Sequence, residues 1–71
     1  MKRFLIVIER TKTGYSAFSP DVPGCIATAR TKKAVQNRIR QAIQFHLEGL
    51  REEGEKLPKP SSSSVYVDVP A

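Results

Sequence analysis

The sequence predicts an α+β fold, a single β-β-β-α-β layer in which a four-stranded sheet of order 3-2-1-4 carries one helix on one face. Three observations predict it. The stretch from Thr31 to Glu53 repeats apolar residues at spacings of three and four, at Val35, Ile39, Ala42, Ile43, His46, Leu47 and Leu50, which puts them on one helical face. Three short strand-like runs precede that stretch, each bounded by turn residues. One strictly alternating run, Val65 to Val69, follows it.

The first strand is expected over about 2–9. Phe4, Ile6 and Ile8 form one row and Leu5 and Val7 the other, so both faces are apolar. Such a strand is expected to sit centrally, covered on both sides. Arg10 to Gly14 reads as a turn, with Gly14 able to supply positive φ, and the return strand follows over about 15–19 with Tyr15 and Ala17 opposite Phe18. Pro20-Asp21-Val22-Pro23-Gly24 is a rigid loop, since each proline fixes φ and removes a donor. The third strand, about 25–30, presents Cys25, Ala27 and Ala29 as a small-residue face against which a helix can lie closely.

The helix is expected over about 31–53, capped by the Thr31 hydroxyl and ended by Gly54 in a left-handed conformation, with Pro58 preventing resumption. The prolines and four serines from Pro58 to Ser64 form a loose connection. The last strand, about 65–69, turns its valines to the helix side. A strand reached through a helical crossover is expected parallel to its neighbour, here the first strand.

At 71 residues the chain makes one domain, 1–71, with a small core for which self-association is the expected supplement. A dimer or tetramer would cover the sheet face opposite the single helix. Leu5, Val7, Phe18 and Tyr66 are the interface candidates there, and Phe45, off the main helical stripe, is another. His46 falls inside the apolar arc, where the common outcome is partial burial with one nitrogen satisfied; an interface position is the alternative.

Catalytic and metal chemistry find little support. One Cys and one His exclude a Cys/His zinc site within a chain, and no Gly-rich phosphate loop, HExxH, GxSxG or CxxC occurs. Glu9 and Asp68, at the ends of expected neighbours, are two carboxylates alone, too few to define a metal site. Cys25 reads as a packing residue. No catalytic residue, cofactor or metal is expected. The apolar run Phe4 to Ile8 is too short for a signal peptide or membrane span, so a cytoplasmic, membrane-free protein is expected.

With 12 Lys and Arg against 7 Asp and Glu, the net charge of +5 favours acidic partners. Arg30, Lys32, Lys33, Arg38 and Arg40 gather at the start of the helix and are the candidates for an anionic partner. Without interleaved aromatics for stacking, nucleic-acid binding through them would be weak and salt-dependent.

From Tyr15 to Pro60 the chain resembles the HicB-like antitoxin family. The pieces that carry the resemblance are Tyr15-Ser16-Ala17, then Pro20-Asp21-Val22-Pro23-Gly24-Cys25. Thr31, Ala34, Asn37, Ala42-Ile43, Leu47-Glu48-Gly49-Leu50, Gly54 and Pro58 follow in the family's order. The resemblance implies a partial ribonuclease-H-like fold without nuclease carboxylates. It implies a non-catalytic module of a toxin-antitoxin system, acting by protein–protein interaction and neutralising a small toxin ribonuclease (HicA). Family members repress their own operon through a separate C-terminal DNA-binding segment, so a chain ending at Ala71 is expected to be a stand-alone member lacking one. Ala29, Arg30 and Lys33 depart from the family's glycine and acidic residues around the helix start. The alternative expectation is a basic nucleic-acid binder, or a stand-alone homo-oligomeric regulator without a toxin.

Overall fold

The computed structural model describes residues 1–71. Its elements are β1 (Val7–Arg10), β2 (Tyr15–Phe18), β3 (Ile26–Ala29) and α1 (Lys32–Glu52). The three strands form one antiparallel sheet of order β1-β2-β3. Val7 stands opposite Phe18 and Ile8 opposite Ala17, while Phe18 stands opposite Ile26 and Ala17 opposite Ala27.

Two expectations about the sheet are corrected. The first strand is an edge strand, not a central one, and begins at Val7 rather than near residue 2. The fourth strand, and with it the order 3-2-1-4, is not formed within the chain. Val65, Tyr66, Val67 and Val69 are 84, 102, 74 and 72 % exposed, and no backbone hydrogen bond ties them to β1.

The turn between β1 and β2 closes with Thr11 N–H donating to the Gly14 carbonyl at 2.8 Å and Gly14 N–H donating to Thr11 Oγ1 at 3.1 Å. Gly14 does not have positive φ, contrary to the sequence reading. Glycine fits there because a Cβ would collide with the Ala29 carbonyl oxygen and the Arg30 Cα at the end of β3. Positive φ occurs at Gly24 (88°), in the loop before β3, and at Gly54 (71°).

Thr31, extended at φ −123° and ψ 157°, caps α1 by accepting a hydrogen bond from Ala34 N–H at 3.1 Å. At the other end Gly54 N–H donates to Arg51 O (3.1 Å) and Glu55 N–H to Leu50 O (2.9 Å), the paired bonds of a Schellman ending, for which a left-handed glycine is the usual choice. Val35, Ile39 and Ile43, four residues apart, are the buried row of the helix. They meet Ala17, Cys25 and the loop residue Val22, which is fully buried; Phe4, Ile6, Ile8, Tyr15, Ala27, Ala29 and Leu47 pack around them.

The helix lies over β3 and β2 and barely reaches β1. The small side chains at Cys25, Ala27 and Ala29 account for that offset, because they let α1 approach β3 closely. A hollow of about 360 Å³ remains between the N-terminal segment and the helix, lined by Lys2, Phe4 and Ile6 from the former and by Gln36, Asn37, Ile39, Arg40 and Ile43 from the latter.

Candidate protein-docking surface

Alternation along three paired strands sends every second side chain away from the helix. By register, Val7, Phe18 and Ile26 form a row across β1, β2 and β3 on that far face, and Glu9, Ser16 and Thr28 form the polar row beside it. Phe18 is 37 % exposed and Ile26 70 %. Leu5, in the extended segment before β1, and Val7 are half-buried.

Ile26 also borders a second feature. It lines a groove with Gly24, Cys25, Ala42, Phe45, His46, Gly49 and Leu50, between β3 and the outer flank of α1. Phe45, 79 % exposed, forms its outer wall. The far face and this groove thus share Ile26, and the apolar surface runs from Val7 through Phe18 and Ile26 to Phe45. The sequence reading named Val7, Phe18 and Phe45 but missed Ile26, the residue that joins them. The signal was available, since Ile26 is the large apolar residue facing away from Cys25, Ala27 and Ala29.

His46 is exposed, which corrects the expectation of a half-buried position. The sheet covers a stripe only one row wide, so residues on the border of the apolar arc remain in solvent. Tyr66 stands apart from the face, fully exposed, and with Ser64 and Val65 it borders a groove whose other wall is Leu5 to Ile8.

The five cations do not form one patch. Arg30 and Arg38 border a common hollow with Thr11, Thr13, Tyr15, Thr28 and Ala29. Arg38 Nη1 donates to the Thr28 carbonyl at 3.0 Å, which covers part of the outer edge of β3. Arg40, two residues on and about 200° round the helix, lies on the opposite flank beside the hollow at the N-terminal segment and donates to Asn37 Oδ1 at 3.2 Å. Lys32 and Lys33 are exposed at the first turn.

One polar cluster was not anticipated. The Asp21 carboxylate accepts hydrogen bonds from Ser61 N–H (3.1 Å), Ser61 Oγ (3.1 Å), Ser62 N–H (3.0 Å) and Ser62 Oγ (2.8 Å). The Ser62 N–H contributes most to holding this carboxyl below its ordinary pKa of 3.8, followed by the Ser62 hydroxyl. These bonds tie the C-terminal segment to the loop between β2 and β3. Cys25 is buried and unpaired, and burial pushes its thiol pKa up. No group of three or more His, Cys, Asp or Glu is placed to hold a metal ion. No helix is long and apolar enough to cross a membrane.

A three-stranded antiparallel sheet with one helix across it and its other side open places the chain among small α+β domains. Residues 4–71 match the family described as HicB_like antitoxin of bacterial toxin-antitoxin system, and the chain belongs to that family. A solved structure named as a HicA3 and HicB3 toxin-antitoxin complex contains a chain of the same fold, with a TM-score of 0.67 and 29 % identity over 83 % of this chain and 72 % of that one. An uncharacterised 14.9 kDa protein of Haemophilus phage HP1 is 38 % identical over 65 residues; the match takes in 92 % of this chain but only 49 % of the phage protein, so the chain spans about half its length. A UPF0150 protein of Thermoplasma acidophilum is 29 % identical over 66 residues, 92 % of this chain and 96 % of the relative.

Proposed function

We propose that this chain is a non-catalytic antitoxin module that binds and neutralises a small ribonuclease toxin in the cytoplasm, through the surface running from Phe18 over Ile26 to Phe45. The observation that carries the reading is that continuous exposed apolar surface on a chain of the HicB-like family. Apolar side chains left in solvent at the centre of a sheet face are costly in a free monomer and become favourable when a partner covers them. Aromatic and large aliphatic anchors of this kind carry most of the binding energy in protein interfaces. The solved complex of a similar chain with its toxin supports the choice of partner.

The test is a search beside the gene of this chain for a small toxin-like reading frame, followed by growth rescue and direct binding with its product; the lack of any such neighbour would count against the reading. Wild type is expected to restore growth and to bind the purified toxin. Ile26→Glu and Phe45→Glu are expected to weaken binding at least about tenfold, because each puts a charge into an apolar contact. Both positions are exposed, so the helical circular dichroism should be unchanged. Binding by both variants at wild-type strength would remove this surface from the interface.

A further inference from the structure

We propose that the end of the sheet where the β1–β2 turn meets the start of α1 binds the phosphodiester backbone of a single-stranded nucleic acid. The charge is distributed for it. Arg10, Lys12, Arg30, Lys32, Lys33 and Arg38 stand at that end, six of the chain's 12 cations, with one of its 7 acids, Glu9. The whole net charge of +5 is therefore carried there, and the rest of the molecule is balanced. Glu9 faces away, since alternation puts it in the row with Ser16 and Thr28, on the side opposite Arg10, Tyr15 and Ala29. Glu48, the first acid along α1, lies about 15 Å down the axis from Arg38.

The hollow that Arg30 and Arg38 border here measures about 770 Å³, within the range of ligand sites, about 300–1,000 Å³. No carboxylate lines it. Gly14 shapes it, because a residue without a Cβ lets the turn lie against the Ala29 carbonyl and the Arg30 Cα, which brings Thr11 and Thr13 beside Arg30. Two guanidiniums are held in place before any ligand arrives. Arg38 uses one of its five N–H donors on the Thr28 carbonyl, and Arg10 lies over the Tyr15 ring, 5.9 Å from Cζ to centroid. Thr11 Oγ1 accepts from Gly14 N–H, leaving its own O–H to donate. Planar guanidinium forks with hydroxyls beside them are the groups that hold a phosphate by two prongs.

The helix adds to this field. Its first turn holds no acid, and Lys32 and Lys33 sit at the positive end of its dipole, an arrangement unfavourable in the free chain and relieved by an anion seated there. A backbone suits the site better than a lone ion. Lys12 on one side of the hollow and Lys32 and Lys33 on the other carry the positive charge past it, and a strand repeats its phosphates along its length. The hollow is concave and admits one flexible strand, whereas a duplex is a convex cylinder. Guanidiniums and hydroxyls that contact phosphate and sugar position a strand without reading its sequence. The site lies away from Phe18, Ile26 and Phe45, so it stands whether or not that surface holds a toxin.

The experiment is fluorescence anisotropy on the full chain across a salt series, with a labelled single-stranded RNA of about 12 nucleotides. The DNA of the same sequence, the corresponding duplex and polyglutamate are the comparison ligands. Single strands are expected to bind at low salt, with log K falling against log salt at a slope of about −2 to −3, three or four phosphates. Arg30→Gln and Arg38→Gln are each expected to weaken binding at least about threefold and to reduce that slope by about 0.7. Lys59→Gln, the same loss of charge beyond the far end of α1, is expected to change neither. An equal loss in Lys59→Gln would reduce the effect to net charge and overturn the proposal. So would no binding at low salt, tighter binding of the duplex, or equal affinity for polyglutamate, which would mark a dock for an acidic protein. Amide shifts of the wild type on titration with the RNA give the same answer without a variant: they are expected at Thr11–Tyr15 and Arg30–Lys33, and shifts centred elsewhere would overturn the assignment.

Discussion

Asp21 shows how one side chain can govern the position of a whole segment. Its four bonds to Ser61 and Ser62 require the ionised carboxylate, and they depress its pKa below 3.8. A depressed folded-state pKa means that the tether is fully present above 3.8 and is lost as pH falls through the lowered value. The amides of Ser61 and Ser62 are therefore expected to lose their protection from hydrogen exchange in Asp21→Ala at any pH, and in wild type only in strong acid. Protection that survives Asp21→Ala would show the tail to be held by something else. Cys25 is the opposite case, a thiol kept protonated by burial. Since the thiolate is the nucleophile, Cys25 is expected to react with a thiol reagent at neutral pH much more slowly in the folded protein than after unfolding. Gly14 is held to glycine by space alone: Gly14→Ala drives a methyl group into the Ala29 backbone. It is expected to cost about 1–3 kcal/mol by overpacking, read from denaturant unfolding.

At the scale of elements, the helix was almost wholly legible. Its observed limits, Lys32–Glu52, lie just inside the expected 31–53, because Thr31 and Gly54 are chemical stop signals that act locally. Thr31→Ala, which removes the capping acceptor for Ala34 N–H, is expected to cost about 1 kcal/mol. Ile39→Ala, at a fully buried site, is expected to cost about 2–5 kcal/mol, enough to unfold much of so small a domain. Both are measured by denaturant titration, and a cost at Ile39 no larger than at Thr31 would show the core to be poorly packed there. The strands were less legible. The apolar pattern of residues 4–8 reports that both faces are to be covered but does not say by which chain, so an open edge strand read as a central one. His46 misled for a related reason. Helical periodicity gives the direction of a side chain but not the width of the surface opposite, and three strands of four residues cover little more than the row Val35, Ile39 and Ile43.

For the molecule as a whole, the sequence disclosed that apolar residues are left over on the sheet face away from the helix more clearly than it disclosed what covers them. Phe18 and Phe45 were visible as candidates because large aromatic residues off the expected core are conspicuous. Ile26 and the Asp21 tether were not, because each depends on which residues the loop from Pro20 to Gly24 brings together. The arithmetic of burial points the same way. Only 7 of 71 residues are buried in the single chain, and six of them form the core cluster, far too few to offset the ordering of the rest with a comfortable margin. If self-association supplies the difference, folding and association are linked and the thermal midpoint depends on protein concentration. A hundredfold rise in concentration favours the dimer by about 2.7 kcal/mol, roughly half of that per chain. For a domain of this size the midpoint should then rise by roughly 5–10 °C, measured by circular dichroism between micromolar and sub-millimolar protein. A midpoint constant across that range would mean that the single chain is stable with its β1 edge and valine tail in water, and the open sheet would then have to be explained by a partner other than itself.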